Sequence, residues 1–477
     1  MASTEAGQGS ALTVTAEVRE GVYGDKVTAV EPGGAEFIPL SERHGKPIAL
    51  FWTWMSPNLE FATVFVGVIS VFFFQQSLPM AILAIVIGTG LGSLSHAVLS
   101  TRGPVLGVPQ MIISRIPFGF RGNILPAGLN AVTAGIGWFA VNSVSGALAL
   151  NSLTKMPKLL CLIIVVVAQV TIAFFGHNLV HTFERLAFPL LAVAFTLAVL
   201  YIVPKTASSG APGGGGMGGF LITLGAAFGY AAGWNPYASD YTRYFKRDEN
   251  KQAIAMWAFL GVFVSCVVLE SIGALAVSAL PKADWAGSPT SSFTGMMPTL
   301  VADLVLLAIA IGAISANAIN VYSGTMSFLA MGFDLPMAMR RAIFAAVFGT
   351  LGFFLAIWGL HDVSSYENFL LVIAYWIAPW LGVVFTDQYL RRSHRVDGFL
   401  FDRRHNPWAG WVAMLLGGGI AIWLFSNQQK YVGLVPSRNS SFGDLAFEAG
   451  FLLAAALYYV FFQLQKDRTD EVLVLPE

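Results

Sequence analysis

Four short stretches carry residue types that could do chemistry together if the fold brings them into one space. FWTWMSPNLE holds Ser56, Pro57, Asn58 and Glu60; GWFAVN holds Trp138 and Asn142; AAGWNPYASDYTRY holds Gly233, Trp234, Asn235 and Pro236; ISANAINVYSG holds Ser315, Asn317 and Asn320. An Asn side chain presents an acceptor and a pair of donors on one plane. It can therefore meet the donor–acceptor edge of a flat heterocycle with two hydrogen bonds at once. An indole can stack on the face of such a ring, which is worth about 1–3 kcal/mol. Trp138 and Asn142 are four apart, and Asn317 and Asn320 three apart, so each pair shares a helix face. Trp138 lies too deep in its apolar run for an interfacial aromatic belt, where Trp52, Trp358, Trp408 and Trp411 are expected. Together these types suit a planar ring with polar edges better than a sugar, a peptide or an inorganic ion.

Read singly, each residue has a plainer explanation. An Asn in a membrane helix is often packing glue, worth ~0.6 kcal/mol, and a lone proline often only kinks its helix. The pairing argues otherwise. Pro57 and Pro236 each follow a Trp and a small polar residue, inside apolar runs that open two successive sets of five. Unwound backbone in lipid costs several kcal/mol per unpaired group unless it lines a polar cavity. Matched interruptions in two halves of a transporter point to its binding site. Acidic residues at membrane depth are functional suspects by default. Glu60 could bond a solute N–H, carry a proton, balance a cation or be a structurally bonded carboxyl. A structural role is expected for Glu270, and Asp303 lies early in its run. Asp240 and Arg243 are expected in a solvated or gate-side loop.

The elements that must position these residues follow from composition. Of 477 residues, 56% are hydrophobic and 11% charged, against about a quarter charged in soluble domains; the chain reads as an integral membrane protein. Twelve apolar runs are long enough to span a bilayer: 50–73, 79–100, 125–152, 157–176, 182–203, 219–239, 253–280, 298–328, 337–359, 366–389, 408–427 and 443–465. With both termini inside, 21 of the 27 Lys and Arg residues fall on the cytoplasmic side, which supports the count and the orientation. The expected organisation is a polar, mostly disordered cytoplasmic tail over 1–49, helices 1–5 over 50–203, a Gly-rich extracellular linker over 204–218, helices 6–10 over 219–390, helices 11–12 over 391–465 and a cytoplasmic tail over 466–477. A flexible linker between two sets of five suggests an internal repeat.

Other classes find no support. The net charge is zero, which argues against a nucleic-acid partner. No GxxxxGK[ST], HExxH or GxSxG motif occurs, and the seven His residues are scattered, so an enzyme is not expected. Cys161 and Cys266 lie in apolar runs without CxxC spacing and read as buried free thiols. A channel would need a ring of charges or a carbonyl filter. The chain fits a multi-pass transporter in the cell membrane, with the lipid bilayer and a small planar solute as its partners.

The loop GPVLGVPQMIISRIPFGFRGNILPAGLN, with GWFAVN, GWNPYASDYTRYF and SANAINVYSG, resembles the purine–cytosine permease branch of nucleobase:cation symporter family 1 over roughly residues 35–465. The resemblance implies an all-α fold of five-plus-five inverted repeats, like the bacterial leucine transporter, with two further C-terminal helices. It implies a nucleobase importer driven by a cation gradient, with cytosine or purines as solute; hydantoin-, allantoin- or vitamin-like rings and uncoupled passage are the alternatives. Trp138 and Trp234 would stack on the base, and Asn142, Asn320 and Asn317 would bond its edge. Ser56 and Asn58 would line the same pocket beside Asn235. No organic cofactor is implied, only a sodium ion or a proton. In sodium-coupled members the ion sits between helix 1 backbone and helix 8 hydroxyls, which points here to Ser315 and the carbonyls around Ser56. Pro57, Glu60 and Ile314 depart from the family pattern; these departures weaken the sodium assignment and give weight to Glu60 as a proton carrier. Fungal relatives are generally proton-coupled, so both ions stay open.

Overall fold

The computed structural model describes residues 12–15, 17–19, 23–32, 34–206, 213–333, 337–359, 366–465 and 471–474. Residues 1–11 of the expected N-terminal tail, 207–212 of the linker and most of 466–477 lie outside them. Apolar runs in lipid must satisfy their backbone internally, and they do so as helices. In chain order these are α1 (Ala49–Met55), α2 (Phe61–Phe72), α3 (Leu78–Ser100), α4 (Ile124–Thr154), α5 (Lys158–Phe175), α6 (His177–Ile202), α7 (Gly216–Ala232), α8 (Ala238–Thr242), α9 (Lys251–Ala279), α10 (Thr299–Ala330), α11 (Met337–Gly359), α12 (Tyr366–Leu390), α13 (Ala409–Phe425) and α14 (Ala446–Leu464). Among the described residues nine helices are long and apolar enough to cross a membrane, and α1 with α2 makes a tenth, bent by 58°. The runs expected as spans nine and eleven are helical as well, but Val347–Trp358 and Ala409–Phe425 are shorter apolar segments. One short parallel sheet departs from the all-α expectation: β1 (Leu12–Thr15) pairs with β2 (Glu471–Val474).

Helices in lipid gain nothing by hiding apolar surface from one another, so close backbone approach through small residues holds them together. A Cβ on Gly67 of α2 would lie 1.6 Å from the Glu270 carbonyl oxygen of α9, and one on Gly273 of α9 would lie 1.9 Å from Val64 O of α2. The crossing is reciprocal, and Glu270 sits beside it with Thr89 Oγ1 of α3 donating to its Oε2 at 2.9 Å. On α10, a Cβ at Gly312 would lie 2.4 Å from Leu59 O, so α10 packs directly on the bend between α1 and α2.

The N-terminal segment is ordered where disorder was expected. Arg19 N donates to Phe37 O (3.0 Å), Ile38 N to Gly107 O (2.9 Å) and Glu31 N to Phe175 O (3.0 Å). Tyr23, Glu31, Phe37, Ile38 and Arg43 are buried against the helix ends. The Glu31 carboxylate accepts from Arg243 Nη2 (3.3 Å), Tyr322 OH (3.3 Å), His177 N (3.0 Å) and Tyr244 OH. Burial, with Glu31 beside it, pushes the Tyr244 phenol well above its ordinary range, so it stays a donor. The Asp240–Arg243 segment is therefore not a solvated loop: both side chains are buried, and Asp240 Oδ1 accepts from Gln110 N at 2.9 Å. Asp303 is exposed.

Candidate functional site

The bend between α1 and α2 begins at Pro57. Ser56–Asn58 forms a single 3-10 turn, after which Leu59 (φ −82°, ψ 65°) and Glu60 (φ −150°, ψ 175°) leave the helical region. Side chains take up several of the groups freed there. Asn58 Nδ2 donates to Trp54 O (2.7 Å), and Asn58 O accepts from Thr63 Oγ1 (2.6 Å). Glu60 caps α2 by accepting from Ala62 N at 2.8 Å. Its other contacts are Tyr230 OH to Oε1 (3.3 Å) and Ser145 Oγ to Oε2 (3.5 Å).

The second interruption differs in degree. Asn235–Tyr237 is a 3-10 turn between α7 and α8, but Gly233 (φ −52°, ψ −27°) and Trp234 (φ −81°, ψ −12°) stay near helical values. The segment Gly216–Thr242 therefore remains one span, while α1 and α2 change direction. Trp234 Nε1 donates to Asn58 Oδ1 at 2.9 Å, which joins the two interruptions side chain to side chain. Trp234 O is bonded to His96 Nδ1 (3.1 Å), whose ring meets Trp54 edge-on at 4.3 Å.

Trp138 reaches the same region from α4, where Thr133–Trp138 is a π-helical turn. Such turns rotate the following residues relative to the rest of a helix and are frequent at functional sites. Trp138 meets Tyr230 (5.4 Å) and Phe369 (5.2 Å) edge-on, and a Cβ on Gly233 would lie 3.4 Å from its Cζ2. Both indoles are buried at 6% exposure. Their ring contacts run to other aromatics: Trp234 packs on Trp54 (6.0 Å) and Tyr237 (5.8 Å).

The amides meet between α4 and α10. Asn317 is their hub: its Oδ1 accepts from Asn142 Nδ2 (3.1 Å) and Asn320 Nδ2 (3.2 Å), while its Nδ2 donates to Phe139 O (2.9 Å), Gln169 Oε1 (3.0 Å) and Ser143 Oγ (3.2 Å). Tyr237 OH donates to Asn320 Oδ1 at 3.2 Å, tying the cluster to the α7–α8 turn. Asn317 is thus saturated and orients its neighbours, whereas the buried Asn142 Oδ1 has no partner. Asn235 stands apart, donating to Ser95 Oγ of α3 at 2.6 Å. A cavity of about 260 Å³ adjoins Glu60 and Trp138, lined among others by Phe61, Ala62, Val144, Ser145, Tyr366 and Phe369.

Ser56 and Ser315 face each other, Oγ to Oγ, at 3.4 Å. Between α6 and this pair lies Glu184, which sequence reasoning missed; Ser315 Oγ donates to its Oε2. Glu184 immediately precedes Arg185 near the start of its apolar run, where a carboxyl reads as interfacial, yet it is fully buried. Tyr230 and Gln169 were missed too, because Tyr and Gln within apolar runs give no spacing signal. Among the described residues no group of three or more His, Cys, Asp or Glu is arranged to hold a metal ion.

Comparison with known proteins identifies the family and the fold. Residues 37–426 match the family model described as permease for cytosine/purines, uracil, thiamine, allantoin. YxlA of Bacillus subtilis, named as a purine-cytosine permease, is 28% identical over 446 residues, covering 90% of this chain and 95% of its own. The purine-cytosine permease fcyB of Emericella nidulans is 27% identical over 451 residues, covering 90% and 87%. Among solved structures, Mhp1, a nucleobase-cation-symport-1 family transporter in a closed conformation with bromovinylhydantoin bound, superposes with a TM-score of 0.73 at 18% identity, covering 91% of this chain and 95% of that one. The inward-facing conformation of Mhp1 gives 0.70, with 92% and 95% covered. The fold is therefore shared with Mhp1, and the relatives are permeases, not enzymes.

Proposed function

This chain belongs to the family of permeases for cytosine/purines, uracil, thiamine and allantoin, and from that membership we propose that it imports a nucleobase, cytosine or a purine, by secondary active transport on a cation gradient. The observation that carries the reading is the amide cluster beside the helix interruptions. Asn142 keeps a buried, unpartnered Oδ1 while Asn317 fixes its Nδ2. An unmet buried acceptor costs about 1–3 kcal/mol, and a solute N–H on a planar edge would satisfy it. Asn320 would bond the same edge once Tyr237 yields, and Trp138 and Trp234 would close on the ring faces by leaving their present aromatic neighbours.

The wider architecture belongs to the same reading: twelve spans in the cell membrane, a five-plus-five inverted repeat followed by two helices, and both termini in the cytoplasm. Ser56, Asn58 and Glu60 would line the solute's passage at the bend. Alternating access would move one bundle against the scaffold around this site. Coupling requires cation and base to favour the same state, because a ligand shifts an equilibrium only by its differential affinity.

A hydantoin is the second reading, favoured by the bromovinylhydantoin bound to the Mhp1 structure of the same fold. A hydantoin ring is also flat, with alternating donors and acceptors. The test is uptake of labelled cytosine by proteoliposomes holding the purified protein, with sodium and proton gradients imposed separately. Suppression by unlabelled adenine or hypoxanthine supports the nucleobase reading; suppression only by hydantoins replaces it.

A further inference from the structure

We infer that Glu184, rather than Glu60, holds the single positive charge whose gradient drives transport, in a site completed by the Ser56 and Ser315 hydroxyls. This inference rests on the cation-coupled reading above. The Glu184 side chain is fully buried on α6. Ser315 Oγ donates to its Oε2, Ser56 Oγ is directed at the same carboxylate, and Oε1 has no hydrogen-bond partner. A buried carboxylate with an unmet oxygen is tolerated only when a positive charge neutralises it. A sodium ion or a proton supplies the same charge, and hydroxyl and carboxylate oxygens suit either one. Glu60 differs in kind: both of its oxygens are committed, to the α2 N-terminus and Ser145 through Oε2 and to Tyr230 through Oε1.

The site also has a way out. On α6, His177, His181 and Glu184 recur at helical spacing and share one face; Thr53 of α1 and Ser56, at the start of the turn that follows it, are likewise three apart. The two faces are cross-linked at successive turns, Thr53 Oγ1 to His181 Nδ1 at 3.0 Å and then Ser56 and Ser315 at Glu184. Below the first rung is a cavity of about 180 Å³, lined among others by Asp25, His44, Thr53, His177, His181 and Tyr241. It lies beside the ordered N-terminal segment. The ionisable group facing Glu184 is Tyr241 of α8, with His181 one turn earlier on its own helix. Arg185 is exposed, and Cys266 and Glu270 of α9 lie on the Glu60 side. Release of the charge through this cavity places it on the same face as the N-terminal segment.

The test compares wild type, Glu184→Gln, Glu184→Asp and Glu60→Gln, each purified and reconstituted. Glu184→Gln is expected to exchange labelled cytosine between equal pools at near wild-type rate, yet to lose gradient-driven accumulation at least tenfold. Glu60→Gln, at the solute's passage, is expected to change exchange and accumulation in the same proportion, so that their ratio stays that of the wild type. Two readouts need no cargo and separate the sources of charge: a sodium-dependent rise in melting temperature, or a protonated-carboxyl infrared band that titrates with pH. One of them is expected in wild type and absent from Glu184→Gln. Undiminished accumulation by Glu184→Gln, or both cargo-free signals being independent of Glu184, overturns the inference. Should the Gln variant misfold, an unchanged half-saturating cation concentration in Glu184→Asp overturns it equally. A wild-type protein that shows the Glu184-dependent signal but exchanges no nucleobase removes the cargo reading and leaves the charge site standing.

Discussion

At the scale of single residues, the site divides into groups that hold and groups that are held. Asn317, with its amide fully engaged by Asn142, Asn320, Phe139, Ser143 and Gln169, is a positioning residue. Asn142 has an acceptor to offer. Asn142→Ala removes one or two edge hydrogen bonds of ~1 kcal/mol net each, so the half-saturating cytosine concentration should rise roughly 5- to 30-fold, read from uptake kinetics. Trp234→Ala removes both a stacking face worth about 1–3 kcal/mol and the indole N–H on Asn58 Oδ1. Uptake should fall to background while the protein still reaches the membrane; retained wild-type kinetics would reject the stacking role. Glu60→Ala should lower the melting temperature in detergent through loss of the α2 cap, about 1 kcal/mol, whereas Glu60→Gln keeps an acceptor and most of that stability.

At the scale of elements, the bend at Ser56–Glu60 was readable because proline removes a donor and its neighbours are polar in an apolar run. The Asn235–Tyr237 turn was readable for the same reason, but its mildness was not: whether a proline redirects a helix depends on the residues after it, here a non-helical Leu59 and an extended Glu60 in one case and a near-helical turn in the other. The π-helical turn before Trp138 left no comparable mark, since it contains no proline and is stabilised by neighbours from α11 and α12. The bend is held in place by a glycine on another helix. Gly312→Ala would press on Leu59 O, 2.4 Å from the new Cβ, and on Glu60 Cβ, 2.8 Å away. Uptake and melting temperature should both fall, while Gly419→Ala on α13, which meets nothing within 4 Å, should change neither.

At the scale of the whole molecule, the N-terminal segment closes one face of the bundle. Its order was illegible in the sequence because its partners, His177, Arg243 and Tyr322, lie some 150 to 290 residues away and its own composition is polar. Glu31→Gln keeps the shape but weakens the charge-assisted bonds to Arg243 and Tyr244. A cysteine placed at the buried Ser323 should then react faster with an impermeant maleimide applied from the side of the N-terminal segment. The native Cys161 and Cys266 are buried, so they add little background. An unchanged rate would mean that the segment decorates the closed face without fastening it. The pairing of β1 with β2 carries a parity rule. Strands from opposite ends of a chain can lie side by side only if both ends emerge from the same face of the bilayer, and that requires an even number of crossings. Among the described residues, the nine helices long and apolar enough to cross and the bent tenth already make an even set, so α11 and α13 must either both traverse or both stay out: their fates are tied to each other.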